Sequence, residues 1–103
     1  MEKVQSYIND HKARFLEELL ELLRLPSISA DPAHQASVTA TAHRVADFLR
    51  EAGADAVEVI ATPGHPIVYG EKLISPELPT VLVYGHYDVQ PPDPLDLWES
   101  GPF

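Results

Sequence analysis

Apolar residues at Val4, Ile8, Phe15, Leu19, Leu22 and Leu23, with Leu16 and Leu20 beside them, recur at helical spacing. Glu2, Lys3, Lys12, Arg14, Glu17, Glu18 and Glu21 fall mostly on the other side. The spacing predicts one amphipathic helix ending near Leu25, because Pro26 disfavours helical geometry in the residue before it. The stretch LPSISADPA then reads as a loop into a second helix. Asp31 is a good N-cap, and Pro32 sits where a missing N–H costs nothing. Val38, Ala42, Val45, Ala46 and Leu49 form its apolar stripe, and Gly53 is placed to end it.

The period then changes. Ala56-Val57-Glu58-Val59-Ile60 and Ile67-Val68-Tyr69-Gly70-Glu71 read as strands joined by the turn TPGHP, with Pro63 and Gly64 as turn formers. After a Ser/Pro/Glu-rich connection, Thr80-Val81-Leu82-Val83-Tyr84 is apolar at alternate and intervening positions alike, as in a strand covered on both faces. From Pro91 to Phe103 four of thirteen residues are proline, and no regular element is expected. The order α, α, β, β, β fits the start of an α/β or α+β domain. A strand buried on both faces needs helices above and below and neighbours at both edges. Two helices and a hairpin supply only part of that.

Composition narrows the chemistry. The 103 residues, 45% of them apolar, suit one domain or part of one. With 7 basic against 16 acidic residues the formal net charge is −9, which argues against a phosphate backbone or an anionic membrane as partner. There is no cysteine, so disulfides, thiolate metal sites and a cysteine nucleophile are excluded. Any metal must be held by His, Asp or Glu. The N-terminus, charged and amphipathic, shows no secretory h-region, and a cytoplasmic protein is the expectation.

The strongest chemical candidate follows the last apolar run, in GHYDVQPP. In a strand, residues i and i+2 face one side, so His86 and Asp88 share a face just past the strand end, where open α/β sheets place ligands. A metal-bound histidine usually donates its second ring N–H to a carboxylate. On spacing alone, a strand-end histidine beside an acid is the commoner reading. His34 and His43, nine residues apart on the second helix, lie on nearly opposite faces and cannot chelate together. His11 reads as solvated. His65 reads as a surface turn residue, or else the rim of a site. Ser27 and Ser29 carry no nucleophile signature, and the GxSxG, GxxxxGK[ST] and GxGxxG motifs are all missing. Trp98 and Phe103 read as loop anchors, or else as lining for a substrate groove.

The flanks of His86 and Asp88 make the pattern specific. VLVYGHYDVQPPDPLDLWESGPF resembles the first signature of the M20 family of metallopeptidases, most closely the bacterial dipeptidases related to carnosine-type dipeptidases. The likeness takes in the apolar strand, GHYDVQP, PDPLDLW and the W-x-x-x-P-F ending, and extends to GHPIVYGE and LLRLPSIS. Gly101 departs from it, standing where that branch has proline.

The resemblance implies a fold and a role. The fold is α/β: residues 1–103 form the N-terminal part (two helices, a β-hairpin and a buried strand) of a three-layer zinc-peptidase catalytic domain. The rest of that domain, and a smaller dimerisation domain that makes a homodimer, are expected beyond Phe103. His86 matches the first zinc-ligand histidine, and Asp88 the aspartate that orients it. The family cleaves a peptide or amide bond near a free carboxylate with a water held between two zinc ions, whose charge lowers its pKa. The bridging aspartate, the glutamate pair, a further acidic ligand and a C-terminal histidine of the family are likewise expected beyond Phe103. Dipeptides or short peptides are the implied substrates. The first expectation is thus a zinc dipeptidase segment that is inactive alone. A second is a non-catalytic truncated product that self-associates or complements a missing C-terminal part. A third is a pseudo-enzyme domain without a metal role.

Overall fold

The structure, a computed structural model, describes residues 1–103. Three α-helices come first: α1 (Glu2–Asp10), α2 (Lys12–Leu23) and α3 (Gln35–Glu51). Strands β1 (Ala56–Ile60) and β2 (Ile67–Glu71) follow. Single 3-10 turns occupy Pro32–His34 and Leu95–Leu97.

The single first helix predicted from periodicity is broken at His11. Its backbone leaves helical geometry (φ −112°, ψ 11°). Both its amide N–H (3.1 Å) and its ring Nδ1 (2.8 Å) reach the Tyr7 carbonyl. A side chain that competes for a helix carbonyl loosens the turn that follows. The second helix starts as predicted at Asp31, whose Oδ1 accepts the Ala33 amide at 3.0 Å. The first turn, however, is 3-10, so His34 lies ahead of α3 and its Nδ1 binds Asp31 Oδ2 at 2.8 Å. The Ala33 amide, and then His34, hold the Asp31 carboxyl below its ordinary range. Gly53, with φ +90°, supplies the left-handed residue that ends α3.

Helix α3 organises the core. Val38, Thr41, Ala42 and Ala46 are buried along it, and Ser27 and Ile28 of the preceding loop are buried too. The Thr41 hydroxyl donates to the Ser37 carbonyl at 2.8 Å, so its burial leaves no unpaired polar group. The hairpin packs against α3 with β1 and β2 antiparallel, from Ala56 opposite Glu71 to Ile60 opposite Ile67. Gly70 permits the approach: a Cβ there would sit 2.9 Å from Leu49 Cδ1. Arg44 ties α3 to α2 through a two-pronged contact with Glu21 (2.6 and 3.1 Å), and its guanidinium lies 3.8 Å from the centre of the Phe48 ring.

The expected buried strand at Thr80–Tyr84 does not form. These residues pair with nothing, and Val81, Leu82, Val83 and Tyr84 are 82–90% exposed. The sheet stops at the two strands β1 and β2, and the one further bridge joins Val89 to Ile28. Apolar residues of α1 and α2, among them Val4, Leu16, Leu19 and Leu23, also face outward. The radius of gyration is accordingly 16.4 Å, against about 13 Å for a compact domain of about this length. The 3-10 turn at Leu95–Leu97 corrects the expectation of no regular element after Pro91, and Trp98 Nε1 donates back to the Pro92 carbonyl at 2.8 Å. No helix is long and apolar enough to cross a membrane.

Candidate functional site

The GHYDV segment is seated on two loops distant in sequence. Val89 forms a parallel bridge with Ile28, and its amide donates to the Ser27 carbonyl at 3.0 Å. The buried Ser27 hydroxyl donates to the Tyr87 carbonyl at 3.1 Å. Tyr87 reaches the other way, its hydroxyl donating to the Pro66 carbonyl at 2.6 Å in the turn between β1 and β2. Burial, with the Asp88 charge adding to it, pushes the Tyr87 phenol up. Alternation along extended backbone then leaves His86 and Asp88 together on the opposite face.

There the side chains form a linked series. His86 Nδ1 lies 3.0 Å from Asp88 Oδ1 and 3.1 Å from the Asp88 carbonyl. Both are acceptors, so Nδ1 carries a hydrogen, and in the neutral ring the lone pair then belongs to Nε2. Asp88 Oδ2 accepts the Ser29 hydroxyl at 2.5 Å. The Ser29 carbonyl accepts from His65 Nε2 at 2.8 Å. The Ser29 hydroxyl is the main reason the Asp88 carboxyl sits below its ordinary range, and His86 adds to it. The His86 side chain is 78% exposed, so its Nε2 is open to a ligand.

The other histidines stay apart. His34 is engaged by Asp31, and His43 is exposed on α3. No three His, Asp or Glu side chains converge on one point. A surface depression of ≈ 560 Å³ lined by Arg50, Asp55, Val57, Glu58 and Tyr69 involves none of the residues around His86. Two partners escaped the sequence reading. Ser27 and Ser29 carry no catalytic motif, yet both bind the segment that bears His86. The signal available was their spacing: Ser-Ile-Ser alternates with the strand period, as the HYD residues do. His65, read first as a turn residue, is half-buried and joins the hairpin turn to the serine loop.

No family model matches the chain. Individual relatives do. It is 33% identical over 108 residues to the Cys-Gly metallodipeptidase of Candida albicans, an alignment covering 93% of this chain and 22% of that protein. It is 34% identical over 116 residues to the Beta-Ala-His dipeptidase of Mus musculus, covering all of this chain and 23% of that one. The solved structure of the di-peptidase Dug1p from Saccharomyces cerevisiae superposes with a TM-score of 0.81 at 28% identity, over 90% of this chain and 22% of the other. Its helices and two-stranded antiparallel sheet therefore match a fragment of that fold. The chain is a homologue of these metallodipeptidases, the branch that GHYDVQPP resembles, and spans less than a quarter of their length.

Proposed function

We propose that this chain is the metal-bearing N-terminal segment of an M20-type zinc dipeptidase, with His86 as a zinc ligand through Nε2 and Asp88 as the group that orients it. The observation that carries the reading is the His86–Asp88 contact, which puts the ring hydrogen on Nδ1 and leaves Nε2 exposed. That donor set fits one ligand position of a zinc ion, which takes three or four protein ligands. The remaining ligands, the general-base glutamate, the rest of a three-layer catalytic domain and the smaller dimerisation domain belong in this reading to residues beyond Phe103. Alone, residues 1–103 are inactive.

When bound, zinc supplies Lewis-acid activation of a water and of the scissile carbonyl. This chain's own residues do preparatory work. Asp88 holds the ring of His86 in one tautomer. The Val89 amide bond to Ser27 and the bridge to Ile28 fix the segment against the loop that precedes α3. Dipeptides are the substrate class, supported by the Cys-Gly and Beta-Ala-His specificities in the relatives' names. A cytoplasmic location completes the proposal, and the acidic net charge of −9 gives no reason to add nucleic acid or an anionic membrane as partner.

The test is hydrolysis of Cys-Gly and β-Ala-His by the purified gene product that contains residues 1–103, supplied with zinc. Cleavage of either dipeptide, lost by about 10²-fold or more in His86→Ala with the helical circular dichroism unchanged, is the expected result. Cleavage indifferent to that substitution overturns the reading.

A further inference from the structure

We propose that Ser29 is a positioning residue that selects the metal-binding tautomer of His86 by clamping the second oxygen of Asp88. The inference rests on the zinc-dipeptidase reading for its purpose, but its geometry stands independently. A carboxylate beside a histidine has two equivalent oxygens and a nearly free terminal torsion. Left alone, Asp88 at a half-exposed site would exchange its oxygens, leaving His86 Nδ1 the Asp88 backbone carbonyl at 3.1 Å as its one fixed acceptor and the stronger, charged one only intermittently. Ser29 removes that freedom. Its hydroxyl donates to Oδ2 at 2.5 Å, while Oδ1 faces His86 Nδ1 at 3.0 Å. A hydrogen bond to an ionised acceptor is short and strong, so the plane of the carboxylate is set by the loop rather than by the histidine.

The clamp is effective because Ser29 is itself held on three sides. Before it, Ile28 is bridged to Val89. After it, the Asp31 amide closes a turn onto the Ile28 carbonyl at 3.2 Å. Across from it, His65 Nε2 donates to its carbonyl at 2.8 Å. The ring of His86, 78% exposed, has no packing to fix it, and Nδ1 has no acceptor other than Asp88. Ser29 thus transmits the geometry of the loop through Asp88 to Nε2, with no contact to the metal or substrate.

The test is the tautomer of His86, read from its ring ¹⁵N shifts in the metal-free gene product that contains residues 1–103, at a pH where the imidazole is neutral. The native chain is expected to be mainly Nδ1–H. In Ser29→Ala the ratio should move toward the Nε2–H form that free histidine favours in water, by roughly fivefold (about 1 kcal/mol). Ser29→Thr, which keeps the hydroxyl, should restore the native ratio. Protection of the Val89 amide from exchange reports that the Ile28–Val89 pairing survives. If the alanine variant loses it, Ser29→Cys, similar in size and a weak donor, takes its place in the comparison. An unchanged Nδ1–H preference in Ala or Cys with Val89 still protected overturns the proposal, as does a threonine variant that behaves like alanine. Failure of the zinc reading is distinguishable: it shows as hydrolysis indifferent to His86→Ala, whatever the tautomer ratio does.

Discussion

The amide of Val89 donates to the carbonyl of Ser27 at 3.0 Å, and the Ser27 hydroxyl returns a bond to the Tyr87 carbonyl at 3.1 Å. This pair of contacts is the seat of the His86 segment. Ser27 is fully buried, so its hydroxyl cannot be replaced by water without rearrangement. Ser27→Ala strands the Tyr87 carbonyl and should destabilise the chain by about 1–2 kcal/mol, read from urea unfolding. A change below a few tenths would show that the seat contributes nothing to stability.

The contact between α3 and the hairpin makes a separate prediction. Gly70→Val should destabilise by roughly 1–3 kcal/mol, because a Cβ there meets Leu49 Cδ1 at 2.9 Å. Leu49→Ala in the same chain should recover part of that loss. A double-mutant cycle checks it: additive effects would mean the two residues do not touch.

Asp31 gives a pH dependence. The Ala33 amide and His34 depress its folded value below the ordinary carboxylate range. A depressed acid stabilises the fold above its unfolded value and loses that contribution as pH falls through the folded one. The thermal midpoint should therefore decline in acid, below about pH 5. Asp31→Asn keeps a capping oxygen but no charge, so its acid decline should be shallower than the native one. Parallel curves would remove Asp31 from the account.

The apolar run after Pro79 predicts association. Val81, Leu82, Val83 and Tyr84 are 82–90% exposed and their backbone is unpaired. Burying each side chain would gain roughly 1.5–3 kcal/mol, and an unpaired apolar segment is a template for strand pairing. Sedimentation should show the 103-residue chain associating as its concentration rises. Leu82→Glu with Tyr84→Glu should suppress it. A native monomer at high concentration, melting cooperatively above roughly 60 °C, would contradict this and weaken the reading of residues 1–103 as part of a larger domain.

Local chemistry was the legible part of the fold. Asp31-Pro32 announced a helix start, Gly53 its end, and the change to period two announced both strands, because each signal acts within a few residues. The break at His11 was hidden, since it depends on a ring competing for the Tyr7 carbonyl rather than on a glycine or proline. Thr80–Tyr84 misled in the opposite sense. Its composition specifies cover and neighbours that residues 1–103 do not supply, so a strand-like sequence stays unpaired. At the site, His86 and Asp88 stood out through their flanks. Ser29 and His65 did not, because their roles exist only once loops 59 and 36 residues apart in their pairings are brought together.

In the role proposed for it, His86 binds zinc in a dipeptidase site. The most direct test of that role is the zinc content of the purified gene product containing residues 1–103, compared among the native protein, His86→Ala and His43→Ala. His43 is an exposed histidine on α3 with no carboxylate contact. Bound zinc is expected in the native protein, with a clear loss in His86→Ala and native content in His43→Ala. Equal zinc in all three, or none in the native protein after metal loading, would contradict it.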